Sequence, residues 1–205
     1  MDPLNSSSTH RYFAIHKPYN MVSQFVSPDK VNLLKDLDYN FPEGTHAIGR
    51  LDNNSEGLLL LTTNKKITRL LFSSKEKHER VYLVQINNNL SEENLKRLQE
   101  GVSFKISSTE NYTTSPSKVT MVEDPEKEYP FIKNLEGKFG PHSWFQITLT
   151  EGKFHQVRKM VASIHHRCKR LIRISIENIQ LGQSPPGAVV EMEENEFFEK
   201  LNLKR

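Results

Sequence analysis

Cysteine is almost absent from this sequence, since Cys168 is the only one in 205 residues. No disulfide can form within the chain, which fits a reducing cytoplasm. The sequence also has no N-terminal apolar signal region and no stretch that approaches the roughly 20 apolar residues of a membrane-spanning helix. We therefore predict a cytoplasmic protein with no membrane partner.

A large net charge is missing as well, because 28 basic and 25 acidic residues leave a formal charge of +3. The distribution of charge is more informative than its sum. Lysines and arginines are concentrated in residues 151–173, whereas glutamates crowd residues 191–199. This asymmetry is typical of a protein with one face for phosphate contact and another for water. Charge alone leaves a nucleic-acid partner open, because most charge runs are only solvated faces.

The length suits one domain, or two packed subdomains that share a substantial core. Strands are predicted at residues 11–17, 58–61, 78–86 and 169–176, and helices after Ser91 and in a segment that opens within 151–160. Residues 107–116 are polar and are predicted to form a connector. Several strands with segregated helices favour the α+β class over alternating βαβ units. Residues 1–10 are polar and serine-rich, so we predict a disordered tail followed by one folded unit, residues 11–205.

One aspartate lies in a glycine-bounded turn directly before a strongly apolar run. Asp52 stands between Gly49 and Gly57, and four consecutive leucines follow at residues 58–61. The glycines permit tight backbone on both sides of the acid, and the leucines indicate a buried strand. Two interpretations stay open on these residues alone. Asp52 is either a reactive carboxylate held rigidly or a turn residue that satisfies nearby backbone amides.

A basic motif opens the helix predicted from residue 151. Apolar residues repeat there at helical spacing and mark a stripe that faces the core: Val157, Met160, Val161 and Ile164. Arg158 lies about 100° around the helix from the first of these, at the edge of the stripe. This position suits a side chain that reaches the wall of a cleft. A solvated surface arginine is the alternative interpretation.

Two strand-like segments carry the remaining candidate residues. Tyr82 lies in the apolar run at 78–86 and is suited to stacking on a nucleic-acid base; a core tyrosine with a satisfied hydroxyl is the alternative. In residues 169–176, isoleucines alternate with Leu171, Arg173 and Ser175. The isoleucine face is predicted to be core, and the Leu171 face to be partly polar.

The motif from Gly49 to Asn64 resembles the catalytic motif of the RNA pseudouridine synthases. The similarity is to the branch that acts on ribosomal RNA, which includes small-subunit type A and large-subunit types B, E and F. It implies that Asp52 is the catalytic residue and that Arg50 helps to hold the flipped nucleotide. Residues 152–158 are similar to the family's Gly-Lys-x-x-Gln-Val-Arg motif, which implies that Arg158 pairs with the catalytic aspartate.

The same resemblance assigns the walls of a uracil slot. The Tyr-Leu-Val pattern at Tyr82 implies that this ring packs on the target uracil, although Arg80 stands where the family usually has lysine. The Leu-x-Arg-x-x-Ile segment implies that Leu171 forms the second wall. The implied structure is the pseudouridine synthase fold, a mixed and mostly antiparallel sheet flanked by helices, with two packed subdomains around a central cleft.

These implications predict an enzyme that isomerises uridine to pseudouridine in ribosomal RNA. The layout is most similar to the large-subunit type E branch, without the S4 RNA-binding domain that many relatives carry. The predicted partner is large-subunit ribosomal RNA or an assembling ribosomal particle, and we expect a monomer. No cofactor is predicted. No metal is predicted either, because the histidines near Cys168 match no common zinc spacing.

Two other functions stay open at this point. The first is a catalytically silent RNA-binding or ribosome-assembly protein with the same fold. The second is a hydrolase that uses Asp52 and Glu56 as a carboxylate pair, in the manner of glycosidases.

Overall fold

The computed structural model describes residues 10–73, 77–132 and 140–204. Within these residues the chain forms eleven strands, five α-helices and a short 3-10 helix at Leu34–Asp36. The strands are β1 Tyr12–Lys17, β2 His46–Ala47, β3 Glu56–Thr62, β4 Arg80–Asn87, β5 Ser103–Lys105, β6 Asn111–Thr113, β7 Lys118–Val122, β8 His142–Leu149, β9 Cys168–Ile176, β10 Ile179–Gln180 and β11 Val189–Met192. The helices are α1 Ile67–Ser73, α2 Glu92–Glu100, α3 Pro125–Glu128, α4 Gln156–Ser163 and α5 Glu194–Lys200. The predicted α+β class is confirmed.

Nine of these strands form one sheet, in the order β11-β1-β3-β9-β4-β8-β7, with β2 beside β3 and β10 beside β9. β3 and β9 run parallel, and the other strand pairs of the described residues are antiparallel. The sheet is therefore mixed and mostly antiparallel, as predicted. β5 and β6 form a separate hairpin, so the connector predicted at residues 107–116 is wrong in part, because β6 lies inside it.

β3 is the most deeply buried strand because it lies between β1 and β9 and is covered on both faces. Leu58 and Leu60 pack in the cluster that contains the β9 isoleucines, whereas Leu59 and Leu61 pack beside Phe13 on the opposite face. This alternation follows from the two-residue period of a strand. Each buried leucine contributes about 1.5 to 3 kcal/mol, so the segment after Asp52 is firmly anchored.

β9 lies between β3 and β4 and brings distant residues together. Tyr82 of β4 is opposite Arg173 of β9, and a register shift, or bulge, lies between Val81 and Tyr82. Bulges re-aim side chains and are frequent beside active sites. The face of β9 that was predicted to be partly polar is buried, with Arg173 only 5% exposed. Arg173 and Ser175 make this face partly polar, as predicted, and both side chains are buried.

The helices begin and end close to their sequence signals. α2 is capped by Ser91, whose hydroxyl accepts from the backbone N–H of Asn94, and it ends before Gly101 as predicted. α4 begins at Gln156, later than predicted, because His155 has left-handed backbone with φ of 55° and does not continue a helix. The apolar stripe predicted for α4 is buried, as expected.

None of the described helices is long and apolar enough to span a bilayer. Residues 1–9 of the predicted tail lie outside the described residues. The division of residues 11–205 into two packed subdomains stays a prediction.

Candidate active site

A cleft of about 350 Å³ opens beside the turn that precedes β3. Its walls come from residues 49–55, from β4 and β9, and from the loop between β8 and α4. Four of the five predicted site residues line it: Arg50, Asp52, Tyr82 and Leu171. Arg158, the fifth, does not. The volume lies in the range of about 300 to 1,000 Å³ that is typical of small-molecule pockets.

The turn that carries Asp52 is held by side chains from the first loop of the chain. The hydroxyl of Ser23 accepts from the N–H of Leu51 at 2.9 Å and donates to its C=O at 2.9 Å. The amide of Asn53 donates to the side chain of Asn20 at 3.2 Å. Asp52 therefore lies between two anchored neighbours, which limits where its carboxylate can point.

The side chain of Arg158, on α4, bonds to the backbone of this turn. Nη2 of Arg158 donates to the C=O of Asn54 at 2.6 Å and approaches the hydroxyl of Ser55 at 3.4 Å. The predicted ion pair between Arg158 and Asp52 is not found among the described residues, where the guanidinium bonds to Asn54 and Ser55 instead. Arg158 thus fixes the turn that presents the carboxylate, and does not touch the carboxylate.

His155 lies within ion-pair distance of Asp52. Its Nε2 lies 3.5 Å from Oδ1 of Asp52, and the two side chains are 37% and 31% exposed. The left-handed backbone at His155 turns this side chain towards the cleft, and the ring of Phe154 stacks on it with centroids 3.9 Å apart.

The loop that carries His155 is braced from inside the protein. The buried side chain of Gln156 accepts from the N–H of Lys153 at 2.8 Å and donates to Glu151 at 2.6 Å. Glu151 also accepts from the hydroxyl of Tyr112. Because both ends of the loop are bonded, His155 is held at a defined distance from the turn.

Arg173 is the buried cation of the cleft. Its Nε donates to the C=O of Leu58 at 2.7 Å, which holds the guanidinium against β3. Burial lowers the pKa of Arg173, while the neighbouring Tyr82 hydroxyl and Asp52 carboxylate act in the opposite direction. Its Nη2 is buried without a hydrogen-bond partner among the described residues. An unsatisfied buried N–H is costly, so Arg173 offers a donor to a ligand in the cleft.

The second motif glycine is required by this packing. Gly57 has φ of +101°, and a Cβ atom there would lie 2.3 Å from the backbone oxygen of Arg173. Only glycine combines that backbone conformation with so close an approach. Residue 57 is therefore glycine because β3 lies against β9.

Glu56 has a structural role in this arrangement. Its carboxylate is buried and accepts two hydrogen bonds from Arg170, at 2.9 and 2.8 Å. It is not among the residues that line the cleft. The hydrolase interpretation, which pairs Glu56 with Asp52, is therefore not supported. Among the described residues, no group of three or more histidine, cysteine or acidic side chains is placed to hold a metal ion.

We expect Ser23→Ala to loosen the turn. The substitution leaves two buried backbone groups of Leu51 without their partner, so the free energy of unfolding should fall by about 1 to 3 kcal/mol. Any activity that depends on Asp52 should fall as well, because Ser23 holds Leu51, the residue directly before it. Urea unfolding and turnover measurements check both effects. Ser27→Ala is the matched control, since that hydroxyl also accepts a backbone N–H but at an exposed site; equal losses in the two variants would contradict the assignment.

Lys17 is a buried ammonium that holds the loop before Ser23. Its Nζ donates to the C=O of Pro18 at 2.9 Å and to that of Met21 at 2.6 Å. Burial lowers the pKa of Lys17 from 10.5 to about 8. Between these two pH values the unfolded chain binds more protons than the folded protein, so the stability rises with pH.

This titration gives a measurable difference between wild type and Lys17→Met. From pH 7 to pH 10.5, the group should add about 3 kcal/mol to the free energy of unfolding of the wild type, and nothing to that of Lys17→Met. Urea unfolding at intervals of pH checks this, with the difference between the two proteins as the readout. Parallel pH curves would show that Lys17 titrates normally.

Sequence reasoning missed three residues of the cleft region: Ser23, His155 and Arg173. Nothing local in the sequence indicates the left-handed backbone of His155. Arg173 carried a usable signal, since it lies two residues after Leu171 and therefore on the same face of a strand. Ser23 bonds to a residue 28 positions away, and no pattern in the sequence indicates that contact.

Known proteins that are similar to this chain in sequence are RNA pseudouridine synthases. Residues 11–163 match the RNA pseudouridylate synthase family. A relative from Vibrio parahaemolyticus, named ribosomal large subunit pseudouridine synthase E, is 35% identical over 87% of this chain and 72% of its own length. A relative of the same name from Xanthomonas axonopodis is 30% identical over 84% of this chain and 88% of its own length.

The fold agrees with this result. A crystal structure of a pseudouridylate synthase superposes with a TM-score of 0.75 at 24% identity, covering 97% of this chain and 76% of the other. The predicted fold is thereby confirmed. This chain belongs to the RNA pseudouridine synthase family, isomerases that convert uridine to pseudouridine.

Proposed function

We propose that this protein isomerises a specific uridine of large-subunit ribosomal RNA, with Asp52 as the catalytic carboxylate. The observation that carries the proposal is the position of Asp52, in an anchored turn that faces Tyr82, Leu171 and Arg173 across one cleft. The two relatives named as ribosomal large-subunit synthases support the substrate. We further propose that the protein acts as a monomer in the cytoplasm, on ribosomal RNA or an assembling particle.

The proposed reaction rearranges one nucleotide without gain or loss of atoms. The bond between N1 of uracil and C1′ of ribose breaks, the uracil turns within the slot, and C5 bonds to C1′. The hydrogen on C5 leaves as a proton, and N1 gains a proton. No electrons are gained or lost, so the reaction itself needs no oxidant or reductant.

Each cleft residue has a role in this scheme. Asp52 reacts with the flipped nucleotide, and a covalent step of this kind divides one difficult bond exchange into easier ones. Tyr82 and Leu171 are the walls between which the uracil lies, as aromatic and apolar side chains hold flipped bases in other enzymes. Arg173 donates from Nη2 to an oxygen of the nucleotide. Arg50, exposed at the cleft, contacts the phosphate backbone.

Two further residues position Asp52. Arg158 holds the turn through Asn54 and so supports the carboxylate without an ion pair. His155 orients the carboxylate from the opposite wall. These assignments replace the direct pairing of Arg158 with Asp52 that the sequence predicts.

The test uses ribosomal RNA labelled with tritium at C5 of uridine. Isomerisation releases the C5 tritium to water and leaves the strand intact, because C5 becomes the carbon bonded to ribose. A pseudouridine map of cells that lack the protein, with and without re-expression, then identifies the uridine. Free uracil and an abasic strand would indicate a hydrolase. RNA binding without tritium release from any ribosomal RNA would indicate the silent RNA-binding protein.

A further inference from the structure

The turn that carries Asp52 separates two cavities. Asp52 and Ser55 line the uridine cleft on one side, whereas Asn54 lines a second cavity of about 210 Å³ on the other. The other residues of this second cavity are Tyr19, Arg158, Arg167, Cys168 and Lys169. We refer to it as the basic cavity. Because a single turn forms the wall between the two, a ligand in the basic cavity lies next to the uridine cleft.

The basic cavity presents positive charge that the protein does not neutralise. Three of its lining residues are cations and none is a carboxylate. The side chains of Arg167 and Lys169 are exposed and make no hydrogen bond or ion pair with any other residue that the structure describes. Nε of Arg158 is also buried without a partner in the described parts of the chain. Such a site attracts a phosphate group, which accepts charge-assisted hydrogen bonds.

The thiol in this cavity does not oppose an anion. Burial raises the pKa of Cys168 to about 11, so the group is neutral at physiological pH. The local charge is therefore set by the arginines and the lysine.

An exposed aromatic ring borders the same cavity. Tyr19 is 59% exposed, yet the loop that carries it is held firmly. The buried ammonium of Lys17 bonds to carbonyls on both sides of this residue, at Pro18 and Met21. The amide of Asn32 donates to the C=O of Asn20 at 2.9 Å. A large ring that is exposed on a rigid loop is suited to stacking on a nucleic-acid base.

We propose that the basic cavity binds the nucleotide adjacent to the target uridine, with Arg167 and Lys169 on its phosphodiester and Tyr19 stacked on its base. This inference rests on the proposed function, since it names how the same RNA is held. The ligand class is single-stranded RNA, because only an unpaired strand offers a phosphate together with an unstacked base face. A strand that crosses the turn would place one nucleotide in each cavity.

Binding is measured in the Asp52→Asn background, so that it does not depend on turnover, with single-stranded oligouridylate as the probe. The double substitution Arg167→Gln with Lys169→Gln should raise the Kd by about tenfold and reduce the slope of log K against log salt by about one to two. Tyr19→Ala should raise the Kd by about tenfold as well, whereas Tyr19→Phe should keep the wild-type affinity, because it retains the stacking face.

The matched control removes two lysines elsewhere, through Lys96→Gln with Lys118→Gln. These residues lie on α2 and on β7, at the edge of the sheet, and both are exposed. We expect the affinity and the salt slope of this control to match those of the parent. Equal weakening in the control would show a general charge effect and would overturn the proposal. An unchanged salt slope in the Arg167 and Lys169 variant would also overturn it.

Activity measurements separate this inference from the proposed function. In the active protein, the same double substitution should raise KM for ribosomal RNA more than it changes kcat. If the doubly substituted protein releases tritium with unaltered KM and Kd, RNA binding in the basic cavity is refuted and the proposed function stands. If the unsubstituted protein releases no tritium but the double substitution abolishes oligouridylate binding, RNA binding in the basic cavity is supported and the proposed function is refuted.

Discussion

Asp52→Asn should lower the rate of pseudouridine formation by about 1,000-fold or more, because the amide has the shape of the carboxylate but neither its charge nor its nucleophilicity. Single-turnover tritium release from labelled ribosomal RNA measures this loss. The affinity for RNA should change little, since phosphate contacts dominate that affinity.

Asp29→Asn is the matched control for this substitution. Asp29 is an exposed turn residue that lies outside the cleft, so the variant should react at the wild-type rate. Thermal unfolding should show that both variants are folded, because the ion pair of Asp52 with His155 is partly exposed and contributes little to stability. Substantial tritium release by Asp52→Asn would contradict the catalytic assignment.

Arg173→Met should lower kcat/KM by about 100- to 1,000-fold, the loss that follows when an oriented donor is removed from an active site. Arg173 lines the cleft, its buried Nη2 has no hydrogen-bond partner among the residues that the structure describes, and it interacts with Tyr82. Its removal should therefore affect both the ligand and one wall of the slot. Steady-state tritium release at several RNA concentrations measures the effect.

Arg173→Lys separates charge from geometry. Lysine keeps the positive charge but loses the planar fork, so we expect only part of the activity to return. Thermal unfolding of both variants checks the fold, because Nε of Arg173 also bonds to the C=O of Leu58. If Arg173→Met fails to fold, the kcat/KM of Arg173→Lys tests the proposed role of Arg173. Wild-type kcat/KM in a folded Arg173 variant would refute the proposed role.

Much of the fold follows from local pattern. The leucine run at 58–61, the alternating residues of β9 and the cap at Ser91 each have a period or a residue type that indicates the element. The hairpin of β5 and β6 was missed because its strands are only three residues long and mostly exposed. Such short strands show no apolar alternation that would indicate them. The late start of α4 was missed because the left-handed backbone at His155 is not encoded by an obvious residue preference.

The sequence predicted most residues of the candidate site, but not the contacts between them. Sequence motifs indicate four residues that line one cleft in the structure: Arg50, Asp52, Tyr82 and Leu171. The predicted pairing of Arg158 with Asp52 is replaced in the structure by a hydrogen bond from the Arg158 guanidinium to the C=O of Asn54. The ion pair instead comes from His155.

The family follows from motifs in the sequence. The buried strand after Asp52 and the glycine within it also follow from local sequence, because they depend on side-chain period and on the few residues that tolerate positive φ. Long-range packing places His155 beside Asp52, Arg173 opposite Tyr82, and the Asp52 turn next to the basic cavity. The position of Arg173 depends on the insertion of β9 between β3 and β4 and on the register shift between Val81 and Tyr82, whereas His155 is placed by its left-handed backbone. Strand order and register arise from packing between residues far apart in the chain, which local preference does not specify.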